Sequence, residues 1–290
     1  MSDHTDKQVP LHDHSIYANV FSFLGLPLSR DVADERVEAV VMGIPYDLGT
    51  SGRPGARSGP SAIRQASANL RWEESRWPWT FSLTDRLRVT DYGDLQFSAG
   101  DSEDMLARVE EHAARITAAG KTLLALGGDH FVTLPLLRGT ASTHGKLALI
   151  HFDAHTDAYA QQEKYDHGCM FYRAPREGLV DPSRSIQIGI RTAYDADDHA
   201  FEVIDAHQSN EQPVAAIIAA IRARVGAHPA YLTFDIDCLD PAFAPGTGTP
   251  VVGGLSTSRV LRILQGIADL NIVGFDLVEV APAYDQAQVT

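Results

Sequence analysis

Three groups of polar residues each follow a run of apolar residues, and their side-chain types suit metal coordination. The groups are Gly127-Gly128-Asp129-His130, Asp153-Ala154-His155-Thr156-Asp157 and Asp235-Ile236-Asp237. Each run that precedes them is predicted to be a strand. In parallel sheets, ligands bind outside the carboxyl ends of the strands. We therefore expect the three groups to meet in one site at that edge.

The spacing within the groups predicts which side chains converge. In an extended segment, residues two apart point to the same side, roughly 6.5–7 Å apart. Asp153, His155 and Asp157 then share one side, as do Asp235 and Asp237. Four carboxylates without a counter-charge would repel one another or stay protonated, and two divalent cations would neutralise them. The pattern predicts a dinuclear metal site with six ligands: His130, Asp153, His155, Asp157, Asp235 and Asp237.

Simpler roles exist for each group taken alone. A single Asp-x-Asp after a strand is more often a helix cap or a turn, and a lone histidine after two glycines is more often structural. The three groups together favour metal binding, because buried charged clusters rarely persist unpaired. An oxygen-rich set with two imidazoles and no thiolate favours Mn²⁺ over Zn²⁺, Co²⁺ and Fe²⁺. Cys238 is expected to point into the core, and Cys169 to be a packing residue.

The elements that must position these residues alternate between short apolar segments and amphipathic segments. Strands are predicted at Ala39–Ile44, Arg86–Tyr92, Thr122–Leu126, Leu147–Phe152, Ser185–Ile190, Ala230–Phe234 and Asn271–Phe275. Helices are predicted at Ser61–Leu70, Ser102–Ala119, Pro213–Val225 and Ser256–Leu270. This alternation predicts an α/β fold in one domain, a three-layer α-β-α arrangement with a mostly parallel sheet.

The boundaries of the domain and of its helices carry further expectations. A polar tail of residues 1–20 precedes the domain of residues 21–290, and the histidines of this tail are not expected to bind metal. Ser102 is expected to cap the second helix, and Pro213 and Gly226 to open and close the third. A helix covering the last strand would be expected, but the sequence carries no segment for it after Phe275.

The composition excludes several classes of protein. The chain is 44% hydrophobic and 21% charged, which is not the composition of a disordered or fibrous protein. Its 24 Lys and Arg against 38 Asp and Glu give a net charge of −14, whereas nucleic-acid and membrane-surface binders need a basic face. No targeting signal or membrane span is recognisable, and two cysteines do not build a disulfide framework. We expect a soluble, cytoplasmic protein with reduced thiols.

The polar groups, taken in order, resemble the ureohydrolase family, which includes the arginases and agmatinases. The resemblance runs from about Val41 to Tyr284. Besides the metal-ligand groups it includes Gly43-Ile44-Pro45, the loop Arg53–Pro60, the segment Phe234–Pro250 and Val278-Glu279-Val280-Ala281-Pro282. It implies a single arginase-like α/β domain, a homo-oligomer (trimer or hexamer) and two Mn²⁺ per subunit.

The resemblance also implies roles for individual residues. One metal would be held by His130, Asp153, Asp157 and Asp235, and the other by Asp153, His155, Asp235 and Asp237, so that Asp153 and Asp235 bridge. His167 would be a proton shuttle, and Glu279 would bind the guanidinium group of the substrate. The implied reaction is attack of a metal-bridging hydroxide on the guanidinium carbon, which releases urea and a primary amine.

The segment Ala158–Pro175 is similar to the bacterial agmatinase form rather than to the arginase form. We therefore expect agmatine, a small cationic guanidine, to be hydrolysed to putrescine and urea. Gln161-Gln162-Glu163-Lys164 departs from the Asn-Gly-Cys-Glu type of segment in close agmatinases. This departure concerns the contacts to the far amine of the substrate, not the metal ligands.

Three alternatives stay open at this point. A ureohydrolase for a carboxylate-tailed substrate such as guanidinobutyrate would need a cation at the far end of the pocket, for which Lys164 and Arg173 are candidates. A single-zinc deacylase of similar fold would leave His130 and Asp157 without a role. A metal-binding or regulatory protein without turnover would have no use for both His167 and Glu279.

Overall fold

Eight parallel strands form one sheet in the computed structural model, which describes residues 21–72, 75, 79–160 and 163–290. The strands are β1 Ala39–Gly43, β2 Val89–Asp94, β3 Thr122–Leu126, β4 Ala148–Phe152, β5 Ile186–Ile190, β6 Glu202–Asp205, β7 Ala230–Asp235 and β8 Ile272–Val278. Across the sheet they lie in the order β2-β1-β3-β8-β7-β4-β5-β6, and every neighbouring pair is parallel. The predicted α/β class and all seven predicted strands are confirmed.

Eight α-helices are found among the described residues. They are α1 Gly59–Ser67, α2 Leu83–Arg86, α3 Ser102–Ala118, α4 Thr133–His144, α5 Met170–Arg176, α6 Ala206–Glu211, α7 Val214–Val225 and α8 Thr257–Gly266. Short 3-10 turns lie at Phe23–Gly25, Ala56–Ser58, Ala68–Trp72, His130–Val132, Pro182–Arg184, Ile236–Cys238 and Pro282–Tyr284. In the described parts of the chain, none of the helices has both the length and the apolar character that a membrane crossing requires.

The sheet has one hydrophobic core on each face. Helices α3, α4 and α5 cover one face, and α7 and α8 cover the other. Strand β4 feeds both cores, because successive side chains of a strand point to opposite faces: Leu149 packs in the first core, and Ile150 and Phe152 pack in the second. Cys169 and Cys238 are buried, one in each core, as expected.

Several predicted element ends were wrong. The second strand begins at Val89 rather than Arg86, because the preceding residues form α2. The first helix begins at Gly59, with Pro60 in its first turn, where the missing N–H of proline costs nothing. Asp101, not Ser102, caps α3: its carboxylate accepts hydrogen bonds of 3.1 Å from the backbone N–H groups of residues 103 and 104.

The fourth predicted helix ends at Gly266 instead of continuing to Leu270. A side chain at Gly266 would collide with Ile218 of α7, since a Cβ there would lie 2.2 Å from the Ile218 Cδ1. The guanidinium of Arg222, also in α7, donates a 2.9 Å hydrogen bond to the Gly266 carbonyl. The predicted caps at Pro213 and Gly226 are found at the ends of α7, and Ser256, the predicted start of the fourth helix, is the N-cap of α8.

Helices α2, α4, α5 and α6 and strand β6 were not predicted. The first half of α4 is buried almost all round, so it lacks the polar face that marks an amphipathic helix. Gly139 allows its close approach to α3, because a Cβ there would lie 2.6 Å from the Ala113 Cβ. Strand β6 is a four-residue edge strand with exposed and half-buried positions, and gives only a weak apolar signal.

The last strand of the sequence is a central strand of the sheet. β8 lies between β3 and β7, and α4 packs against one of its faces. The expected covering helix is absent from the described residues, and on the other face Phe275 and Leu277 are only partly buried.

Candidate metal centre

The candidate site lies at the carboxyl ends of β3, β8, β7 and β4, which are neighbours in the middle of the sheet. His130 follows β3, Glu279 follows β8, Asp235 ends β7, and Asp153 follows β4. The Gly127-Gly128 pair lets the chain after β3 pass close to residue 46: a Cβ on Gly128 would lie 1.6 Å from the Tyr46 carbonyl oxygen. Residues distant in sequence therefore meet because their strands are adjacent.

His130 points one ring nitrogen into a ring of carboxylates. Its Nδ1 lies 2.9 Å from Oδ2 of Asp157, 3.1 Å from that of Asp153 and 3.4 Å from that of Asp235. The nitrogen is buried, yet none of these contacts has hydrogen-bond geometry. A buried nitrogen without a hydrogen-bond partner among three carboxylate oxygens has the environment of a metal ligand.

The other ring nitrogen of His130 is fixed by a buried hydrogen-bond chain. Nε2 lies 2.8 Å from the hydroxyl of Thr233, and that hydroxyl donates a 2.5 Å hydrogen bond to Asp276. Because the hydroxyl proton is used on Asp276, the Thr233 oxygen accepts from Nε2–H. In the neutral ring, Nδ1 then carries a lone pair directed at the carboxylates, as a metal ligand requires.

A second group forms beside the first. Nδ1 of His155 lies 3.2 Å from Oδ2 of Asp237 and 3.3 Å from Oδ1 of Asp153. Donor atoms of Asp153, His155 and Asp237 all lie within 4.8 Å of one another, and the same holds for His130, His151, Asp153 and Asp157. Asp153 belongs to both groups. All six predicted ligands thus lie in one cluster.

The electrostatics of the cluster call for added positive charge. Burial, reinforced by Asp153, raises the pKa of Asp157 to about 7. Burial and neighbouring carboxylates also raise the pKa values of Asp235 and Asp237. Contacts with Asp153 and Asp237 outweigh burial and raise the pKa of His155 to about 12. Protons thus hold these like charges together, and divalent cations bound among the same oxygens would replace them. The donor set therefore fits divalent metal ions.

Two residues of the site have left-handed backbone conformations although they are not glycine. Asp157 has φ 47° and Glu279 has φ 62°. Such conformations cost energy for residues with a Cβ, and they concentrate at functional sites.

Glu279 presents one oxygen to the protein and keeps the other free of protein partners. Its Oε1 accepts a 2.8 Å hydrogen bond from the backbone N–H of His130 and lies 2.7 Å from Nδ1 of His167. Its Oε2 is buried without a hydrogen-bond partner. A buried carboxylate oxygen left in this way is suited to a cationic ligand.

His167 bridges Glu279 and the loop that follows β1. Its Nε2 accepts a hydrogen bond of 3.1 Å from the backbone N–H of Ser51 and lies 2.7 Å from the Ser51 hydroxyl. Nδ1–H therefore donates to Glu279 in the neutral ring. The carboxylate of Glu279 outweighs the effect of burial and raises the pKa of His167 to about 9.

An acidic cleft opens above the cluster. Asp157, Asp166 and Asp235 contribute carboxylates to its lining, together with Ser51, His155, Tyr159, His167, Gly168 and Thr249. No lysine or arginine of the described residues lines it. Lys164 instead pairs with Glu103 of α3, and Arg173 donates a 2.8 Å hydrogen bond to the Lys164 carbonyl. Gln161 and Gln162, part of the segment that departs from the agmatinase pattern, lie outside the described residues.

Sequence reasoning did not assign roles to several residues that surround the cluster. His151 contacts Asp153, Thr233 and Asp276 hold His130, and Ser51 contacts His167. One signal was present: His151 lies two residues before Asp153, and in an extended segment residues two apart point to the same side. The others meet the site only through the fold, since Asp276 lies on a neighbouring strand and Ser51 on a distant loop.

The chain is similar to a known family, to curated proteins and to solved structures. A model of the arginase family matches residues 37–290. The agmatinase of Cronobacter sakazakii (strain ATCC BAA-894) is 57% identical over 279 residues, covering 96% of this chain and 91% of that protein. The X-ray structure of a hypothetical agmatinase from Burkholderia thailandensis is similar with a TM-score of 0.90 and 48% identity, covering 95% of this chain and 87% of that one. Proclavaminate amidino hydrolase from Streptomyces clavuligerus gives a TM-score of 0.89 and 38% identity, with coverage of 96% and 94%.

Proposed function

Because the chain belongs to the arginase family, we propose that it hydrolyses agmatine to putrescine and urea at a centre of two Mn²⁺ ions. The observation that carries this proposal is the buried, unpartnered Oε2 of Glu279, a residue whose other oxygen is hydrogen-bonded to His130 of the four-aspartate, two-histidine cluster. The agmatinase of Cronobacter sakazakii, 57% identical, supports the choice of substrate.

The cluster residues would hold the two cations. His130, Asp153, Asp157 and Asp235 would bind one, and Asp153, His155, Asp235 and Asp237 the other. Two bound divalent cations supply neutralising charge and lower the pKa of a coordinated water towards neutrality. The oxygen-rich donors favour Mn²⁺.

Glu279 would bind and orient the guanidinium group. A guanidinium is permanently charged and carries N–H donors in one plane, so a carboxylate oxygen without other partners binds it by charge-assisted hydrogen bonds. Because Oε1 is held by His130 N–H and His167, Oε2 is the oxygen that remains for the substrate. Fixing the cation in this way holds its carbon in one position above the cluster.

His167 would supply the proton that the leaving amine needs. Its raised pKa, about 9, keeps the ring largely protonated near neutral pH. Protonation of Nε2 would replace its hydrogen bond from the Ser51 backbone N–H with donation to the Ser51 hydroxyl, while Nδ1–H stays on Glu279 and holds the ring in position. Proton transfer from such a group typically contributes about 10²–10⁴-fold to rate.

The lining of the cleft favours a cationic substrate tail over an anionic one. Asp166 lies half-buried in the wall of the cleft, next to His167 in sequence, and it is our candidate partner for the far amine of agmatine. The guanidinobutyrate alternative needs a cation there, but Lys164 and Arg173 are engaged outside the cleft. The single-zinc alternative would leave unused the carboxylate contacts of His130.

Turnover of three guanidines tests the proposal. Agmatine, guanidinobutyrate and arginine are compared by urea release on one Mn²⁺-loaded preparation, with metal content determined by elemental analysis. We expect two Mn²⁺ per chain and the highest kcat/KM for agmatine. A higher kcat/KM for guanidinobutyrate would show that guanidinobutyrate, not agmatine, is the substrate. One tightly bound Zn²⁺ per chain would favour the deacylase alternative. We also propose that the protein is cytoplasmic and forms a homo-oligomer, either a trimer or a hexamer. Analytical ultracentrifugation measures the number of subunits.

A further inference from the structure

A buried hydrogen-bond chain leads away from Asp153, which would belong to both ligand groups of the proposed metal centre. Nε2 of His151 lies 2.7 Å from Oδ2 of Asp153, and Nδ1 of His151 lies 2.8 Å from the amide nitrogen of Gln187 on β5. The amide oxygen of Gln187 lies 2.7 Å from Nε2 of His199. His151 and Gln187 are fully buried.

The direction of every bond in this chain follows from one backbone carbonyl. The Gln187 amide nitrogen also lies 2.7 Å from the carbonyl oxygen of Thr156, which can only accept. That contact requires nitrogen, not oxygen, at this position of the amide. The same amide group then donates its second hydrogen to Nδ1 of His151. Nδ1 is therefore an acceptor, and Nε2 of His151 carries the hydrogen.

A ring nitrogen that carries a hydrogen cannot bind a metal ion, although His151 lies among the donor atoms of the cluster. We propose that His151 is a positioning residue: it donates its Nε2–H to Asp153, fixes a carboxylate that would serve both proposed metal ions, and is held in that tautomer by Gln187. This inference rests on the proposed metal centre. It does not depend on which guanidine is the substrate.

The packing around His151 leaves the ring little freedom. Phe171 of α5 lies against it with ring centroids 4.5 Å apart, and the His130 ring contacts it at 5.2 Å. The ring therefore has one orientation, and Asp153 receives one hydrogen-bond donor at a fixed place. Hydrogen-bond partners that orient metal ligands typically contribute about 10–100-fold to metal affinity.

Metal-binding measurements on four variants test the inference. Mn²⁺ affinity is measured by competition with a chromophoric chelator and stoichiometry by elemental analysis, on folded protein verified by circular dichroism. His151→Leu removes the donor and should weaken Mn²⁺ binding about 10–100-fold. His151→Gln places an amide N–H donor in a similar position and should restore much of the loss. His207→Leu, on the exposed surface, is the matched control and should bind as the unmodified protein does.

Gln187→Met distinguishes a positioning role from direct coordination. It leaves the His151 imidazole in place but removes the donor to its Nδ1, so the tautomer is no longer held. If His151 positions Asp153, this variant should also bind Mn²⁺ more weakly. Unchanged binding in Gln187→Met together with loss of one Mn²⁺ per chain in His151→Leu would show that His151 is a ligand and overturn the inference. Unchanged binding in His151→Leu would also overturn it, while leaving the proposed agmatine hydrolysis intact.

Discussion

Replacing Glu279 by glutamine tests whether Oε1 binds the protein while Oε2 binds the substrate. The change keeps the size and shape of the side chain but removes its charge. The backbone N–H of His130 is a fixed donor to Oε1, so the amide oxygen of the variant must take that position. The amide NH₂ group then occupies the position of Oε2, where we expect the guanidinium to bind, and it directs its hydrogens at the N–H donors of the substrate.

The expected cost follows from this geometry. The variant loses the charge-assisted hydrogen bond to the substrate and leaves a buried cation without its counter-charge. Removing one partner of a buried ion pair costs about 3–5 kcal/mol. Since ~1.4 kcal/mol corresponds to a factor of ten, kcat/KM for agmatine should fall roughly 100- to 4,000-fold. Mn²⁺ content should be unchanged, because Glu279 is not among the expected ligands.

The variant should also change the titration of His167. Against the lowering effect of burial, the carboxylate of Glu279 raises the pKa of His167 to about 9 through its hydrogen bond and its charge, so we expect a lower pKa when the charge is removed. Steady-state urea release over a pH series measures the loss of kcat/KM and the change in the pKa of His167. Elemental analysis of the same samples measures the Mn²⁺ content. Glu110→Gln on α3 removes a partly exposed carboxylate far from the cluster in sequence and serves as the control. A kcat/KM within a few-fold of the unmodified enzyme, or loss of metal, would refute the assignment of Glu279 to the substrate.

Four further predictions concern the metals, the proton donor and the substrate tail. Asp153→Ala should release both metal ions and abolish turnover because the carboxylate belongs to both ligand groups; an active, metal-replete variant, measured by elemental analysis and urea release, contradicts this. His167→Ala should lower kcat about 10²–10⁴-fold with metal retained, and turnover of the unmodified enzyme should decline as the pH rises through the pKa of His167, about 9. Mn²⁺ binding should release protons and strengthen as the pH rises towards 7, because Asp157 with a pKa of about 7 must be ionised to bind; calorimetry in buffers of different ionisation enthalpy counts those protons. Asp166→Asn should lower kcat/KM for agmatine but not for butylguanidine, which lacks the amine; equal losses for both substrates would exclude a contact to the amine.

The fold was largely predictable because its elements carry local signals. Seven apolar strands separated by amphipathic helices predicted the parallel sheet, since buried parallel strands are nearly continuous apolar runs. The missed elements lack such signals. α4 is buried on most sides, β6 is short and partly exposed, and α2, α5 and α6 have only four to seven residues each. The cap of α3 fell on Asp101 rather than Ser102, because both residue types favour that position and only the backbone decides between them.

Local sequence spacing alone predicted which aspartates and histidines would point to the same side, since the alternation of side chains along a strand is a property of the backbone. Only the tertiary structure decided how they are supported. The order β3-β8-β7-β4-β5 brings Asp276 of β8 within reach of Thr233 of β7 and places Gln187 of β5 beside His151 of β4. The proposed role of Glu279 also depends on the tertiary structure. Its two oxygens differ in their hydrogen-bond partners only because the His130 N–H and the His167 ring, more than 100 residues away in the chain, both contact Oε1. Contacts of this kind depend on which strands become neighbours, and no periodicity along a single chain encodes that.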